Sequence, residues 1–174
     1  FFSQKDYEPT TLMKLKEKYS EKEKPSVDHS KFPVLQQKFN SPQEVTKTCE
    51  ACHNMSAHQV MNSNHWNWER EEYVQGRGIV YLGKKNAINN FCIGTQGNEA
   101  SCAKCHIGFG MDSKGTVYTD STNIDCLVCH DNSETYVKAN EKGGAPVMTL
   151  DFNKIAQSVG KPKRSNCGVC HFYG

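Results

Sequence analysis

Residues 167–171 read CGVCH, and the same pattern stands at three earlier places: CEACH at 49–53, CAKCH at 102–106 and CLVCH at 126–130. These motifs contain every cysteine of the chain except Cys92. With 7 His in 174 residues, chance would place a histidine directly after all four pairs with a probability on the order of 10⁻⁶. The repeat therefore indicates one chemical task performed at four sites.

C-x-x-C-H is the attachment signal for c-type heme. Its two thiols add to the two vinyl groups on one porphyrin edge, and a helical turn then directs the adjacent histidine to the iron as proximal ligand. The sequence thus predicts four covalent heme c groups. The attaching residues would be Cys49, Cys52, Cys102, Cys105, Cys126, Cys129, Cys167 and Cys170, and the proximal ligands His53, His106, His130 and His171.

Two other uses of paired cysteines explain the pattern less well. Zinc ribbons could use eight cysteines as Cys₄ sites, but they need no histidine after every pair. Thioredoxin-like motifs occur singly beside a βαβ pattern, which this sequence lacks. Heme attachment is the interpretation that accounts for all four histidines.

The composition favours a fold whose interior is not filled by side chains alone. Hydrophobic residues make up 36%, charged residues 23%, and the mean hydropathy is −0.71. Four apolar macrocycles would supply the missing core. We therefore predict a mostly α fold with much irregular structure and little β-sheet, as a single tetraheme domain over 1–174 with 1–27 as a peripheral extension.

Charge and hydropathy exclude two classes of partner and suggest a compartment. No apolar run approaches the ~20 residues of a membrane span, and a net charge of +2 shows no basic stripe for nucleic acid. Nine cysteines are unusual for a cytosolic enzyme. Because heme is attached outside the cytoplasm, we expect a periplasmic or extracellular protein. The first residue is Phe1 rather than Met, which fits prior removal of a signal peptide.

The distal ligand of each iron must come from outside its own motif. Outside the motifs the chain has three histidines, His29, His58 and His65, so bis-histidine ligation leaves one iron short. His58 and His65 lie in a stretch without Gly or Pro, 54–74, which predicts one continuous helix. Seven residues apart, they would share a face about 10.5 Å apart along the axis and serve two different hemes. The remaining iron would be open, ligated by an amine or thiol, or completed from outside this chain.

Several stretches together resemble the octaheme tetrathionate reductase family of multiheme cytochromes: DHSKF, SPQEVTKTCEACH, HWNWER, NNFC, CAKCHIGFG, NIDCLVCHD and CGVCHFYG. The likeness runs from about residue 28 onward and corresponds to that family's N-terminal, four-heme half. It implies that the second heme has a lysine as distal ligand, from a segment that would begin where this sequence stops at Gly174. It also implies that Asn89 and Cys92 line the pocket of that heme. On the residues alone, Cys92 is equally a buried thiol or a disulfide partner.

Four further segments have readable local patterns. Residues 12–25 predict a charged, solvated helix ended by Pro25, and 70–92 predict Gly-bounded loops over the hemes. A turn is predicted at 140–148, and a short helix at 149–160.

Three functions are compatible with these motifs. The first is an electron carrier that passes electrons through its hemes to redox partner proteins or extracellular acceptors. The second, implied by the resemblance, is part of an oxidoreductase acting on tetrathionate, nitrite or hydroxylamine at the second heme. The third is a subunit that self-associates into an extracellular filament and borrows an axial ligand from its neighbour.

Overall fold

The structure is a computed structural model that describes residues 10–18, 27–86, 94–95, 97–110, 120–140 and 142–172. Within these ranges it contains eight short α-helices and one two-stranded sheet, which confirms the predicted mostly α class. The α-helices are α1 Thr11–Lys18, α2 Pro42–Cys52, α3 Ser56–Met61, α4 Asn64–Asn67, α5 Glu99–Cys102, α6 Cys126–His130, α7 Phe152–Ser158 and α8 Arg164–His171. Short 3₁₀ helices span His29–Lys31, Pro33–Leu35, Lys84–Asn86, Ala103–Cys105 and Ser121–Asn123.

The single helix predicted over 54–74 is wrong. The chain breaks after α2, forms α3 and α4 separately, and ends α4 at Trp68, whose φ of 56° lies in the left-handed region. His58 therefore lies on α3 and His65 on α4. Side-chain hydroxyls at both breaks bond to the backbone instead of extending the helix: Ser56 donates to the carbonyl of His53 and Ser63 to that of Val60. Such local bonds compete with helix continuation.

The loops predicted over 70–92 are also wrong for their first part. β1, Arg70–Val74, pairs antiparallel with β2, Gly78–Leu82, in the register Arg70↔Leu82 to Val74↔Gly78. Gly76 and Gly78 take positive φ values of 81° and 75°, which residues with a Cβ adopt only at a cost. The second part, 87–93, lies outside the described residues.

Three of the helices, α2, α6 and α7, begin at side-chain caps that the sequence supplies. Ser41 caps α2 by accepting from the backbone N–H of Glu44, with Pro42 in the first turn. Asp125 and Asp151 cap α6 and α7 in the same way. A capping side chain satisfies one of the unpaired N–H groups of the first turn, so these short helices start at defined residues.

An apolar cluster joins residues 35–39 to α2, α6 and α7. Its buried members are Leu35, Phe39, Val45, Leu127, Phe152, Ile155 and Ala156. This cluster holds the helices that carry the first and third motifs. In the described part of the chain no helix is long and apolar enough to cross a membrane.

The other local predictions agree with the structure in part. The charged helix predicted over 12–25 is seen as α1, while 19–26 lies outside the described residues. The helix predicted over 149–160 is confirmed as α7. The turn predicted over 140–148 contains an isolated bridge partner at Pro146, paired with Lys138, and positive φ at Gly143 and Gly144.

Candidate heme-binding sites

All four motifs lie in helical turns, as the attachment chemistry requires. The first forms the end of α2 with His53 as its C-cap, the third coincides with α6, and the fourth ends α8. The second passes through α5 and the 3₁₀ helix Ala103–Cys105, and His106 follows in extended conformation. None of the eight motif cysteines forms a disulfide, and nowhere in the described ranges do three or more Cys, His, Asp or Glu side chains converge as a metal-ion site.

The third motif is central to the arrangement. Its Leu127 packs in the same apolar cluster as Cys49 of the first motif, and Ser121, shortly before the third motif, donates to the carboxylate of Glu50 in the first motif at 3.2 Å. α6 also packs against α8, which carries the fourth motif, and the amide of Asn166 donates to the carbonyl of Asp131 at 2.7 Å. The third motif thus touches the first and reaches the fourth directly.

Backbone hydrogen bonds connect the third motif to the second. Phe109 donates to the carbonyl of Asn123, and Asp125 donates to the carbonyl of Ile107, both at 2.8 Å. The second motif also meets the fourth, since α8 packs against the 3₁₀ helix Ala103–Cys105. The four attachment sites therefore form one cluster around α6.

Two of the spare histidines face motif histidines at a separation that suits a shared metal. The ring centroids of His29 and His53 lie 6.3 Å apart at an interplanar angle of 29°, and those of His65 and His171 lie 6.1 Å apart at 87°. A metal held about 2 Å from each of two imidazole nitrogens puts their centroids roughly 6 Å apart, since each centroid lies about one further ångström behind its nitrogen. Either angle suits this arrangement because the rings can rotate about the nitrogen–metal axis.

The third motif histidine is oriented for metal binding by its other ring nitrogen. Nδ1 of His130 lies 2.7 Å from the carbonyl oxygen of Gly160. Because a carbonyl only accepts, Nδ1 carries the proton and Nε2 keeps its lone pair, the usual state of a ligating histidine. The predicted distal ligand His58 has its Nε2 3.2 Å from the amide nitrogen of Asn62, so this pairing would have to open. The described residues bring no motif ring to His58 comparable with the two pairs above.

The second motif histidine has different surroundings. The His106 ring is only 1% exposed and lies against Trp66 and Trp68, at centroid distances of 5.4 and 4.9 Å. Its Nε2 donates to the carbonyl of Trp66 at 2.7 Å, so this bond would have to open before Nε2 could ligate iron. Burial lowers the pKa of His106 to about 4, so the ring is neutral. Gly108 lies so close that a Cβ there would approach Trp66 to 2.9 Å.

Positive charge surrounds the attachment point of the second motif. The pKa of the Cys105 thiol is lowered to about 6, first by its hydrogen bond with Cys170 and then by Lys84, Lys138 and Lys104. A low pKa favours the thiolate, the nucleophilic form of cysteine. The same lysines would favour anionic groups at this motif.

Sequence reasoning missed the residues that link the second and third motifs, above all Lys138 and Asp125. Both are buried, 3% and 2% exposed, which is rare for charged side chains. The sequence signal was available in NIDCLVCH, where an aspartate in the N-cap position directly precedes a motif. The predicted pocket residues Asn89 and Cys92 lie outside the described residues.

Among known protein families, no family model matches the sequence of this chain. An uncharacterized protein of Archaeoglobus fulgidus is 24% identical over 195 residues, covering 84% of this chain and 65% of the relative. The crystal structure of an octaheme cytochrome c from Shewanella oneidensis matches with a TM-score of 0.78 and 45% identity, over 86% of this chain and 34% of that chain. The chain thus spans about two thirds of the first protein and one third of the second.

Over 86% of the chain the fold is similar to that of the octaheme cytochrome c. At 45% identity, with four attachment motifs in helical turns, the likeness supports covalently bound heme c and electron transfer by a multiheme cytochrome c. The similarity extends over one part of the octaheme protein.

Proposed function

We propose that the chain is a tetraheme electron-transfer module located outside the cytoplasm. The observation that carries this proposal is the gathering of four Cys-x-x-Cys-His turns around α6, with Cys49 packed on the cluster that holds Leu127, and α8 in contact with α6 and with the 3₁₀ helix Ala103–Cys105. Heme iron supplies the reversible one-electron chemistry at each site. The chain's own part is to fix the relative positions of the attachment sites and to hold the axial imidazoles.

The arrangement supports an order of transfer that differs from the order along the chain. The first and third motifs touch, the third is hydrogen bonded to the second, and the fourth contacts both. Electrons entering at the first site would reach the second through the third. His29 with His53 and His65 with His171 would close two sites to external ligands, and His58 would close the third.

The test is reversible reduction of the protein produced in a host that attaches heme c. Stepwise reduction should proceed in four one-electron steps, with the absorption of c-type heme throughout. A matched variant, Cys102→Ala/Cys105→Ala, should lose one step and keep three. A protein that takes up no heme, or whose absorbance does not respond to reductant, would exclude the proposal.

A second function is favoured by the ligand count and by the likeness to a longer cytochrome. The chain has four motif histidines and three other histidines, and His106 of the second motif lies against Trp66 and Trp68. We propose that this site is where a longer protein would bind a sulfur or nitrogen oxyanion such as tetrathionate or nitrite, or hydroxylamine, with Asn89 and Cys92 beside it and a lysine from beyond Gly174 as ligand. Turnover of tetrathionate, nitrite or hydroxylamine by the natural full-length protein tests this. Absence of turnover with all three would remove the enzyme hypothesis and leave the carrier.

A further inference from the structure

The buried pair of Lys138 and Asp125 lies between the second and third motifs. Lys138 Nζ is 3.3 Å from Asp125 Oδ2, and the two side chains are 1% and 0% exposed. Tyr136 donates its hydroxyl to the same carboxylate oxygen at 2.8 Å, and the backbone N–H of Val128 donates to the other at 3.0 Å. Every charged atom of the pair is thus satisfied by protein groups.

Each member of the pair is anchored to a different motif. Lys138 Nζ also donates to the backbone carbonyl of His106, the proposed ligand of the second heme. Asp125 directly precedes Cys126 and caps α6, the helix of the third motif. The positive end of the pair therefore lies at the second motif, and the negative end at the third.

A fixed charge shifts a redox equilibrium in a defined direction. Reduction adds one negative charge to a heme, so a nearby cation stabilises the reduced form and a nearby anion stabilises the oxidised form. In a buried site these effects are screened much less than at the surface. Breaking such a pair leaves an uncompensated charge, whereas replacing both members by neutral groups of similar volume is often tolerated.

We propose that the Lys138–Asp125 pair is a positioning and tuning element that raises the potential of the second heme above that of the third. The oriented pair makes electron transfer from the third heme to the second favourable. It also holds the two attachment segments at a fixed separation, since it joins the 106–108 segment to the start of α6. This inference rests on heme attachment as proposed above.

The test is a potentiometric titration that follows the second heme in four proteins: the parent, Lys138→Met, Lys138→Met/Asp125→Asn, and Lys142→Met as matched control. Lys142 is exposed and lies four residues along the chain. The component of the second heme is the one that disappears in Cys102→Ala/Cys105→Ala. Heme number is measured by intact mass in every variant.

We expect Lys138→Met to shift the second heme's redox equilibrium about tenfold toward the oxidised form, equivalent to about 59 mV for a one-electron couple. The double variant should shift it less, because it removes the opposing charge as well, and Lys142→Met should leave it unchanged. A merely structural pair would not give this order.

Two other results separate the inference from the proposed function. Four attached hemes with an unshifted second heme in Lys138→Met, or a double variant that shifts it as far as the single one, would overturn this inference alone. A parent protein without covalent heme would overturn the proposed function. If the Lys138→Met protein does not accumulate, the double variant Lys138→Met/Asp125→Asn provides the test. An unchanged redox equilibrium of the second heme in that variant would also overturn the inference.

Discussion

The fourth and second motifs hold their histidines in opposite ways. His171 lies exposed at the end of α8 with the ring of His65 6.1 Å away, while His106 is buried between Trp66 and Trp68 with Nε2 on a backbone carbonyl. Both histidines belong to the same five-residue pattern. We infer from this difference that the motif would fix where heme is attached, and that its surroundings would decide what the opposite face of the iron meets.

Breaking the central motif should have the largest effect on the protein as a whole. Cys126 is half-buried, and α6 connects to the other three motifs, whereas Cys167 is exposed on the last helix. We expect Cys126→Ala to reduce the yield of heme-bearing protein several-fold, and Cys167→Ala to lose one heme with little loss of yield. Heme-stained gels and intact mass measure both. Equal yields of a three-heme protein from the two variants would contradict a central role for α6.

Removing a proposed distal histidine should open the sixth coordination position of one heme iron. His65→Ala takes away the ring that faces His171. We expect one heme to change from low spin to high spin in the oxidised protein, because its sixth position becomes vacant. Electron paramagnetic resonance of the 174-residue chain counts the change.

His29→Ala is the matched variant for the first motif and should produce a change of the same size. His58→Ala tests the third motif, whose pairing the structure does not show. An unaltered low-spin signal in His65→Ala would mean that the facing rings do not share an iron.

Acid should weaken the connection of the third motif to α7 and to the 133–136 segment through the carboxylate of Asp131. Its side chain is buried, yet hydrogen bonds from Ser133, Tyr136 and Ser158 outweigh the cost of burial and lower its pKa below 3.8. A carboxyl with a depressed folded-state pKa stabilises the protein above its unfolded pKa, and this stability is lost as pH falls through the folded value.

Asp131→Asn should therefore destabilise the protein by about 1–3 kcal/mol at neutral pH and flatten the stability curve below pH 4. Chemical denaturation across pH measures this. Asp120→Asn is the control, since Asp120 bonds only locally, to Thr122, on the surface. An identical acid profile in parent and Asp131→Asn would show that another group controls acid stability.

A smaller effect is expected where α2 meets the third motif. The buried hydroxyl of Thr46 donates to the carbonyl of Ile124 at 2.6 Å. Thr46→Val keeps the shape and leaves that carbonyl without its partner, which should cost about 1–2 kcal/mol in the free energy of unfolding. Thr48→Val removes a bond within the same helix, to Glu44, and should cost less than about 0.5 kcal/mol. Equal losses in the two variants would mean that the bond to Ile124 adds nothing.

The sequence was sufficient for the attachment chemistry because that chemistry is local. Five consecutive residues carry both thiols and the imidazole, and Asp125 at the start of α6 follows an ordinary capping rule. The mostly α class followed from the same motifs. The sequence predicts the distal ligands only in part. The number of histidines outside the motifs can be counted in the sequence, but the proximity of His65 to His171 depends on the fold.

The errors came from contacts between distant residues and from local competition. The break between α3 and α4 reflects the hydroxyl of Ser63 bonding back to the backbone, which a scan for Gly and Pro does not register. The sequence does not predict the β1–β2 hairpin, because Gly76 and Gly78 are equally typical of loops and of the tight turn they form here. The Lys138–Asp125 pair joins residues 13 positions apart. Its importance depends on the burial of both side chains, which is a property of the fold and cannot be read from the sequence.

The most direct test of the central claim is the intact mass of the protein produced with heme-attachment machinery. Four covalent hemes in one cluster predict a mass equal to the 174-residue polypeptide plus four hemes. A mass equal to the bare polypeptide, or to the polypeptide with fewer than four hemes under conditions in which a control cytochrome is fully loaded, would contradict the account.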